Sequence, residues 1–166
     1  SNESIANIVS EISQKMDMKH GGFGVGEKFM SPIVLQSLLR YAVEFDIKEI
    51  KEFLKKSLQN ISYGGVNDQI GGGFHRYSTD RKWKIPHYEK MLYDNVQMLS
   101  LYANFYQVFK DEFYKEEAYR ILSFLNREMK DPSLLLYSSI AADSQDINGL
   151  INEGDFYTWS LQELNK

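Results

Sequence analysis

The sequence predicts an all-α fold in which αα-hairpins stack side by side and short β-hairpins lie in the loops between helices. Apolar residues recur at helical spacing in five segments of the 166-residue chain. Loops that contain glycine and an aromatic residue alternate with pairs of these segments, as in a loose internal repeat. The loops also contain short stretches of alternating apolar and polar residues, which are typical of short strands.

The first three helices are predicted from their apolar faces and from the residues at their ends. The first covers residues 4–18 and stops at a glycine-rich turn. Ser31 and Pro32 predict the N-cap and the first residue of the second helix. Asp46 and Glu49 resemble a capping box, which predicts the start of the third helix.

Two longer helices follow in the second half of the chain. The fourth is predicted over residues 86–109 and the fifth over residues 112–129. Residues 134–138 and 156–159 are predicted to pair as short strands. A capping-box pattern at Ser160 then indicates a further helix within about one turn of the last residue, which suggests a truncated domain.

A long loop over residues 66–86 precedes the fourth helix. Loops of this length are uncommon unless they are functional or disordered, and we expect this one to be ordered and functional. Its segments 74–77 and 83–85 are predicted to pair as a small β-hairpin. Residues 71–95 contain two of the three histidines together with an arginine, a tryptophan and several acids, so the chemistry of the chain is concentrated here.

The composition excludes several classes of function. A formal net charge of −4 argues against a nucleic-acid partner, because binding phosphates requires clustered Lys and Arg. The absence of cysteine excludes a disulfide, a thiol nucleophile and a zinc site with Cys ligands. No apolar run approaches the ~18 residues of a membrane span and no signal-peptide pattern opens the chain, so we expect a cytoplasmic protein without a membrane partner.

Several sequence strings match a known family. They are GGFG-x₃-KF, GGVNDQIGGGFHRYSTD, W-x-IPHYEKMLYDN, REM-x-DP, ADS and EG-x-FY-x-W. Together they resemble the YyaL-like family, whose members are also called spermatogenesis-associated thioredoxin-domain proteins. Such proteins join an N-terminal thioredoxin-like domain to an (α/α)₆ toroid that is similar to six-hairpin glycosidases and N-acylglucosamine 2-epimerases.

The resemblance implies that residues 1–166 form a single domain, the truncated N-terminal portion of such a toroid. The thioredoxin-like domain and its CxxC motif are absent from the sequence, so redox activity is not implied. The chain departs from the family pattern at Met30, where the family usually has proline. It also departs at Ala141, where the family usually has an aspartate, and this removes a carboxylate.

His87, His75 and Asp94 are the candidates for general acid and base. In a helix that begins at Pro86, His87 and Asp94 are spaced i and i+7 and share one face. Glu89 then points roughly 160° away. A carboxylate can orient a histidine ring and raise its pKa, which suits proton transfer. The alternative is a buried histidine whose ring N–H is satisfied by Asp94.

Five further side chains in two regions are candidates for holding substrate, together with Glu89. In an alternating strand His75 and Tyr77 lie on one side and Arg76 on the other. Arg76 either clamps a carboxylate or phosphate or forms an ion pair with Asp68 or Asp80 that fixes the loop. Trp83 either offers a flat platform for a sugar ring or packs under the loop. Asp143 and Glu153 would supply carboxylates from the next loop.

These observations predict a carbohydrate-acting module with epimerase-like or hydrolase-like acid/base chemistry, without a cofactor and without a metal. No HxxxH or HxH spacing is present to hold a metal. The alternative is a non-catalytic helical module that binds a protein or regulates an attached thioredoxin-like domain. Because about five helices cannot close a ring of twelve, we expect self-association through an open helical flank and no catalysis by this fragment alone.

Overall fold

Helices and short strands alternate along the computed structural model, which describes residues 2–145 and 149–165. The α-helices in this part of the chain are α1 (Asn2–Ser13), α2 (Pro32–Glu44), α3 (Lys48–Tyr63), α4 (Leu92–Phe109), α5 (Glu112–Glu128) and α6 (Leu161–Leu164). The strands are β1 (Lys28–Phe29), β2 (Tyr77–Ser78), β3 (Pro86–His87), β4 (Lys90–Met91), β5 (Ser139–Ile140), β6 (Asp143–Gln145) and β7 (Ile151–Glu153), and Asp155–Tyr157 forms a 3₁₀-helix.

The helices pack as pairs around one hydrophobic core. Helix α2 packs against α3, α4 packs against α5, and α2 also contacts α4. The predicted all-α fold with short strands in the loops is therefore confirmed. The largest fully buried apolar side chains come from these helices and from the long loop, and they include Phe53, Phe105, Phe124, Tyr102, Phe74 and Trp83.

None of the helices in the described part of the chain is long and apolar enough to cross a membrane.

Helix α1 is shorter than predicted. It ends at Ser13 rather than near residue 18, because the next residues enter a turn. Met16 forms an antiparallel bridge with Phe23. The Asp17 amide donates to the carbonyl of Gly22 at 2.9 Å. These long-range bonds use backbone groups that a continued helix would need.

The predicted starts of α2 and α3 are only partly confirmed. Pro32 is the first residue of α2, but Ser31 adopts a left-handed conformation and makes no side-chain cap. The N-cap of α3 is Ile47, so the capping box predicted at Asp46 is wrong. Asp46 instead lies 2.6 Å from Lys51 as an ion pair. Glu49 remains in the first turn of α3, where a negative charge suits the helix dipole.

The predicted capping box at Ser160 is confirmed. The Ser160 hydroxyl accepts a hydrogen bond from the Glu163 amide, and the Glu163 carboxylate accepts one from the Ser160 amide. Helix α6 follows directly.

Helix α4 begins at Leu92 rather than near Pro86, and this is the main correction to the predicted elements. Pro86 and His87 pair with β2, in the register Tyr77↔His87. Lys90 and Met91 pair with β5. Since His87 lies on a strand and not on a helix, it does not share a helical face with Asp94.

The predicted strand pairs also shift. Segment 83–85 does not pair with segment 74–77; the hairpin instead joins β2 to β3. Segment 134–138 does not pair with segment 156–159, because β5 pairs with β4 and β6 pairs with β7. Much of segment 156–159 lies in the 3₁₀-helix and the extended residues that follow it.

A buried ion pair fixes the first glycine turn. Lys28 Nζ lies 2.7 Å from Asp17 Oδ2 and donates to the carbonyl of Gly21 at 2.6 Å. Arg81 donates to both oxygens of Asp17, at 2.6 and 3.0 Å. The Arg81 contact, burial and the Lys28 contact all act on the pKa of Asp17, and the result is well below its usual range. This network fastens the first turn to the long loop.

The second glycine turn repeats this arrangement. Lys90 Nζ lies 2.7 Å from Asp68 Oδ2 and donates to the carbonyl of Gly72 at 2.8 Å. The amide of Asp68 donates to the carbonyl of Gly73 at 3.0 Å. Gly73 has a φ of +77°, and a Cβ there would lie 2.4 Å from Phe124. The loose sequence repeat therefore corresponds to one turn geometry, built twice around a buried Asp–Lys pair.

We expect Lys90→Met to destabilise the fold by about 3–5 kcal/mol, because it leaves the Asp68 carboxylate buried without its cation. The Lys90 side chain is 2% exposed and that of Asp68 is 13% exposed. Urea unfolding of both proteins measures the difference. Lys115→Met is the matched control, since its pair with Glu112 is on the surface, where solvent screens the two charges, and its loss should change stability little. Equal losses for the two variants would contradict a structural role for the Asp68–Lys90 pair.

Candidate functional site

The ring of His87 lies between two carboxylates at the end of β3. Its Nδ1 atom is 2.8 Å from Oε1 of Glu153, and its Nε2 atom is 3.9 Å from Oε2 of Glu89. The ring also stacks on Tyr77, its cross-strand partner, with centroids 5.0 Å apart and planes at 19°. The His87 side chain is 28% exposed. The Glu153 carboxylate is close to Nδ1, whereas Nε2 lies farther from its acid, on the side of Glu89.

Glu89 also forms an ion pair with Arg76. Its Nη1 atom lies 3.1 Å from Oε2 of Glu89, the same oxygen that faces His87. The Arg76 amide also donates to the Glu89 carbonyl at 2.8 Å. Tyr93 and then Glu89 raise the pKa of Arg76. The ion pair expected as one of two alternatives for Arg76 is therefore present, but its partner is Glu89.

Asp94 sits near this cluster in the first turn of α4. Burial raises the pKa of its carboxyl to about 6; Arg76 opposes this shift and Glu89 adds to it. Its Oδ2 atom is buried and makes no hydrogen bond with any described residue. Such an acid changes its charge near neutral pH, which is a property of acid/base groups in functional sites.

His75 is buried, at 2% exposure. Its Nδ1–H donates to the carbonyl of Tyr88 at 2.8 Å, and Tyr157 packs edge-on against its ring at 4.8 Å. Burial, with help from the charge of Lys90, lowers the pKa of His75 to about 4. His75 is therefore neutral at pH 7, and its ring is packed against Tyr88 and Tyr157.

Trp83 is fully buried. Its indole N–H donates to the carbonyl of His20 at 2.9 Å, and a Cβ on Gly22 would lie 2.5 Å from the ring. An aromatic ring without an exposed face cannot stack on a ligand. Of the two alternatives predicted for Trp83, the sugar platform is therefore wrong and packing under the loop is correct.

The two predicted acids of the C-terminal loop pair with each other across β6 and β7. Asp143 and Glu153 are opposite in the register, and Glu153 reaches back to His87. Asp143 is exposed and lines a neighbouring cavity of about 290 Å³ with Lys90 and Tyr157. The structure thus brings Glu153 to the cluster at His87 and places Asp143 beside it.

Eight of the nine predicted residues fall into two groups, and the ninth, Asp143, lines the neighbouring cavity. One cluster contains His87, Tyr77, Glu89, Arg76, Asp94 and Glu153, whereas His75 and Trp83 are buried. Sequence reasoning missed Lys90 and Tyr93. The sequence contained a signal for Lys90, because both Asp-x₃-Gly-Gly turns are followed by a lysine: Lys28 after the first turn and Lys90 after the second. No sequence pattern pointed to Tyr93.

Within residues 2–145 and 149–165, no group of three His, Asp or Glu side chains is arranged to hold a metal ion.

We expect Asp94→Asn to stabilise the protein at pH 7.5, by about 1–3 kcal/mol. The folded pKa of Asp94 is about 6 and its unfolded value is about 3.9, so ionisation at neutral pH opposes folding. This cost is fully present above pH 6 and disappears below about pH 4. Urea unfolding at pH 7.5 and 4.5 should therefore show a stability advantage for the variant that shrinks as pH falls. An Asp94→Asn protein that is less stable at both pH values would contradict the raised pKa.

No protein-family model matches the sequence. The chain is 36% identical over 161 residues to spermatogenesis-associated protein 20 of Mus musculus. This match covers 94% of the chain and 20% of the mouse protein, so the chain spans about a fifth of the length of that relative.

Solved structures show the same fold at low sequence identity. Cellobiose 2-epimerase from Spirochaeta thermophila superposes with a TM-score of 0.72 at 15% identity, over 81% of this chain and 36% of the epimerase. A family 76 glycoside hydrolase from a bovine Bacteroides thetaiotaomicron strain superposes with a TM-score of 0.66 at 17% identity, over 90% of this chain and 33% of the hydrolase. These neighbours place the helical pairs in an (α/α)₆ toroid fold. The motif resemblance is likewise confirmed by the mouse relative: over 161 residues, the chain is homologous to spermatogenesis-associated protein 20.

Proposed function

We propose that the chain carries the acid/base half of a carbohydrate-processing site, with His87 as the group that transfers a proton. The observation that carries this proposal is the His87 ring, which is partly exposed and has one nitrogen on Glu153 and the other directed toward Glu89. Glu153, 2.8 Å from Nδ1, would stabilise the imidazolium that forms when Nε2 accepts a proton. A histidine next to a carboxylate is well suited to general acid/base catalysis.

The chemistry that fits is removal and return of a proton at a carbon next to a sugar carbonyl. His87 Nε2 would take the proton, and the electron pair left on carbon would shift to the carbonyl oxygen, giving an enediolate. Arg76 contacts the same Glu89 oxygen that faces His87. Its positive charge would stabilise the negative charge on the former carbonyl oxygen of the sugar. Delivery of a proton to the opposite face of the same carbon, by an acid on the other wall of the cleft, would complete an epimerisation. Delivery by His87 to the former carbonyl carbon, while the hydroxyl proton moves to the other oxygen, would complete an isomerisation.

The fold supports a carbohydrate ligand at the level of its class. Structures with this fold include a cellobiose 2-epimerase, a family 76 glycoside hydrolase and a D-mannose isomerase. Since this chain covers 36% of the epimerase, we propose that residues 1–166 are one portion of a toroid. The opposite wall of the cleft would then come from other hairpins of the ring.

We expect His87→Ala to weaken binding of D-mannose or cellobiose at least tenfold, because it removes the ring between Glu89 and Glu153. NMR titration of the 166-residue chain with each sugar measures the affinity, even in the millimolar range. His20→Ala is the matched control, since its backbone contacts with Asp17 and Trp83 remain. The proposal fails if neither sugar binds the wild-type chain, or if both histidine variants bind as the wild type does.

A second candidate is a protein-interaction module, and exposed apolar side chains favour it. Leu134, Leu135 and Leu136 are 71%, 68% and 54% exposed in succession, and Phe156 and Leu161 are 74% and 78% exposed. Exposed apolar side chains of this kind favour association. We propose that it lies on an open flank through which the chain self-associates.

Light scattering at several concentrations tests this second candidate. We expect dimers or larger species for the wild type and a shift toward monomer for Leu134→Asp combined with Leu136→Asp. Lys130→Asp, on the same loop but at a polar position, should leave the mass unchanged. A wild-type chain that stays monomeric throughout would eliminate the open-flank proposal and leave the sugar-site proposal standing.

A further inference from the structure

The two glycine turns hold their aspartates with the same contacts, apart from one. In the first turn, Oδ1 of Asp17 accepts hydrogen bonds from the amides two and three residues further on, both at 3.1 Å, and Lys28 Nζ donates to Oδ2 at 2.7 Å. In the second turn, Oδ1 of Asp68 accepts from the equivalent amides at 3.0 and 2.8 Å, and Lys90 Nζ donates to Oδ2 at 2.7 Å. The two carboxylates can therefore be compared contact by contact.

The contact that differs is the one with Arg81. Its guanidinium donates from Nε and Nη2 to both oxygens of Asp17, at 2.6 and 3.0 Å. No arginine within residues 2–145 and 149–165 makes such a contact with Asp68. The side chain of Asp17 is accordingly 1% exposed, whereas that of Asp68 is 13% exposed. A guanidinium covers the carboxylate in the first turn, and the same edge of the carboxylate remains accessible in the second.

The strand register shows which residue stands at the position of Arg81 in the second half of the chain. Each turn lysine pairs with a residue of a later strand, which is Ser78 in the first half and Ile140 in the second. Three residues after Ser78 comes Arg81, whereas three residues after Ile140 comes Asp143. The position that supplies a cation in the first half therefore carries an acid in the second.

The cavity of about 290 Å³ beside the second turn lies between these two acids. Both Asp68 and Asp143 line it. The other charged residues of its wall are paired: Lys90 with Asp68 at 2.7 Å, and Arg127 with Glu128 at 2.6 Å. The charge of Asp143 is left over, so the wall of the cavity has a net negative charge that suits a cation.

An exposed aromatic ring lies in the same wall. Phe156 is 74% exposed, and it lines this cavity and a further cavity of about 430 Å³ that Asp68 also lines. A guanidinium is planar and weakly hydrated, so it can donate two parallel hydrogen bonds to a carboxylate and stack on an aromatic face. An ammonium has no flat face to stack, and a water molecule has no charge to balance Asp143. The wall therefore favours a guanidinium over either of these.

We propose that the cavity beside the second glycine turn binds a guanidinium group, with Asp68 in the role that Asp17 has toward Arg81. The group belongs to an arginine side chain of another polypeptide segment or to a small guanidino compound. Arg127 does not take this role, because its guanidinium donates to Glu128 and to the carbonyl of Gly71. This ligand differs in chemistry from the sugar proposed at His87, so neither proposal depends on the other.

The experiment is a ¹⁵N NMR titration of the 166-residue chain with methylguanidinium, methylammonium and N-acetyl-L-arginine methylamide. We expect methylguanidinium to shift the amides of Gly71 and Ser144, with a Kd about tenfold lower than that of methylammonium. A still lower Kd for the arginine derivative would identify a polypeptide arginine as the source, whereas an equal or higher Kd would identify a small guanidino compound. Equal Kd values for the two simple cations, or no shift at these amides, would overturn the proposal.

Asp143→Arg tests the same inference from within the chain, because it places a guanidinium at the position equivalent to Arg81. We expect this variant to have a higher Tm and about tenfold weaker binding of methylguanidinium. Glu116→Arg makes the same change in charge at an exposed position of α5 and should alter neither property. Asp68→Asn is less informative, since it also removes the partner of Lys90. Unchanged affinity in Asp143→Arg, or a Tm that does not rise, would contradict the proposal.

Discussion

The buried contact between a lysine ammonium and an aspartate carboxylate, made once in each glycine turn, is the constraint on which the site depends. Lys28 lies on β1 and Lys90 on β4, so the pairs Asp17–Lys28 and Asp68–Lys90 tie each turn to a strand. Strands β2 and β3 lie between these anchors in the chain, and β3 carries His87. Burial lowers the pKa of both lysines and the carboxylates oppose it, so each pair is stable only while both partners are present.

The helical framework was predictable because it depends on local periodicity. The strands were not predictable, since they depend on partners that are distant in the sequence. Apolar spacing predicted α5 to within a residue. It also extended α4 back to Pro86, although His87 and Lys90 lie on separate strands. Their partners, β2 and β5, are far from one another along the chain, and no local pattern shows that the backbone will pair there. Because the start of α4 was predicted too early, His87 was assigned the neighbours of a helical residue and not those of a strand residue.

The candidate site shows the same division between residue type and partner. The concentration of histidine, arginine and acids in residues 71–95 predicted the region that holds most of the cluster around His87. It did not reveal that Glu153 orients His87, because the β6–β7 hairpin brings that acid from another part of the chain. Burial was equally invisible: Trp83 and His75 have the chemistry of ligand-binding residues, yet both are inside the core. Only the packing of the folded chain distinguishes the partly exposed His87 from His75, which is buried against Tyr88 and Tyr157.

The central claim is that a sugar binds against the exposed edge of His87. A crystal structure of the chain soaked in D-mannose, at a resolution that shows ordered waters, tests it most directly. The account predicts a sugar oxygen or carbon beside Nε2, bounded by Glu89 and Glu153. A well-diffracting crystal with His87 open to solvent and no sugar there, or with the sugar only in the cavity beside Tyr157, would contradict it.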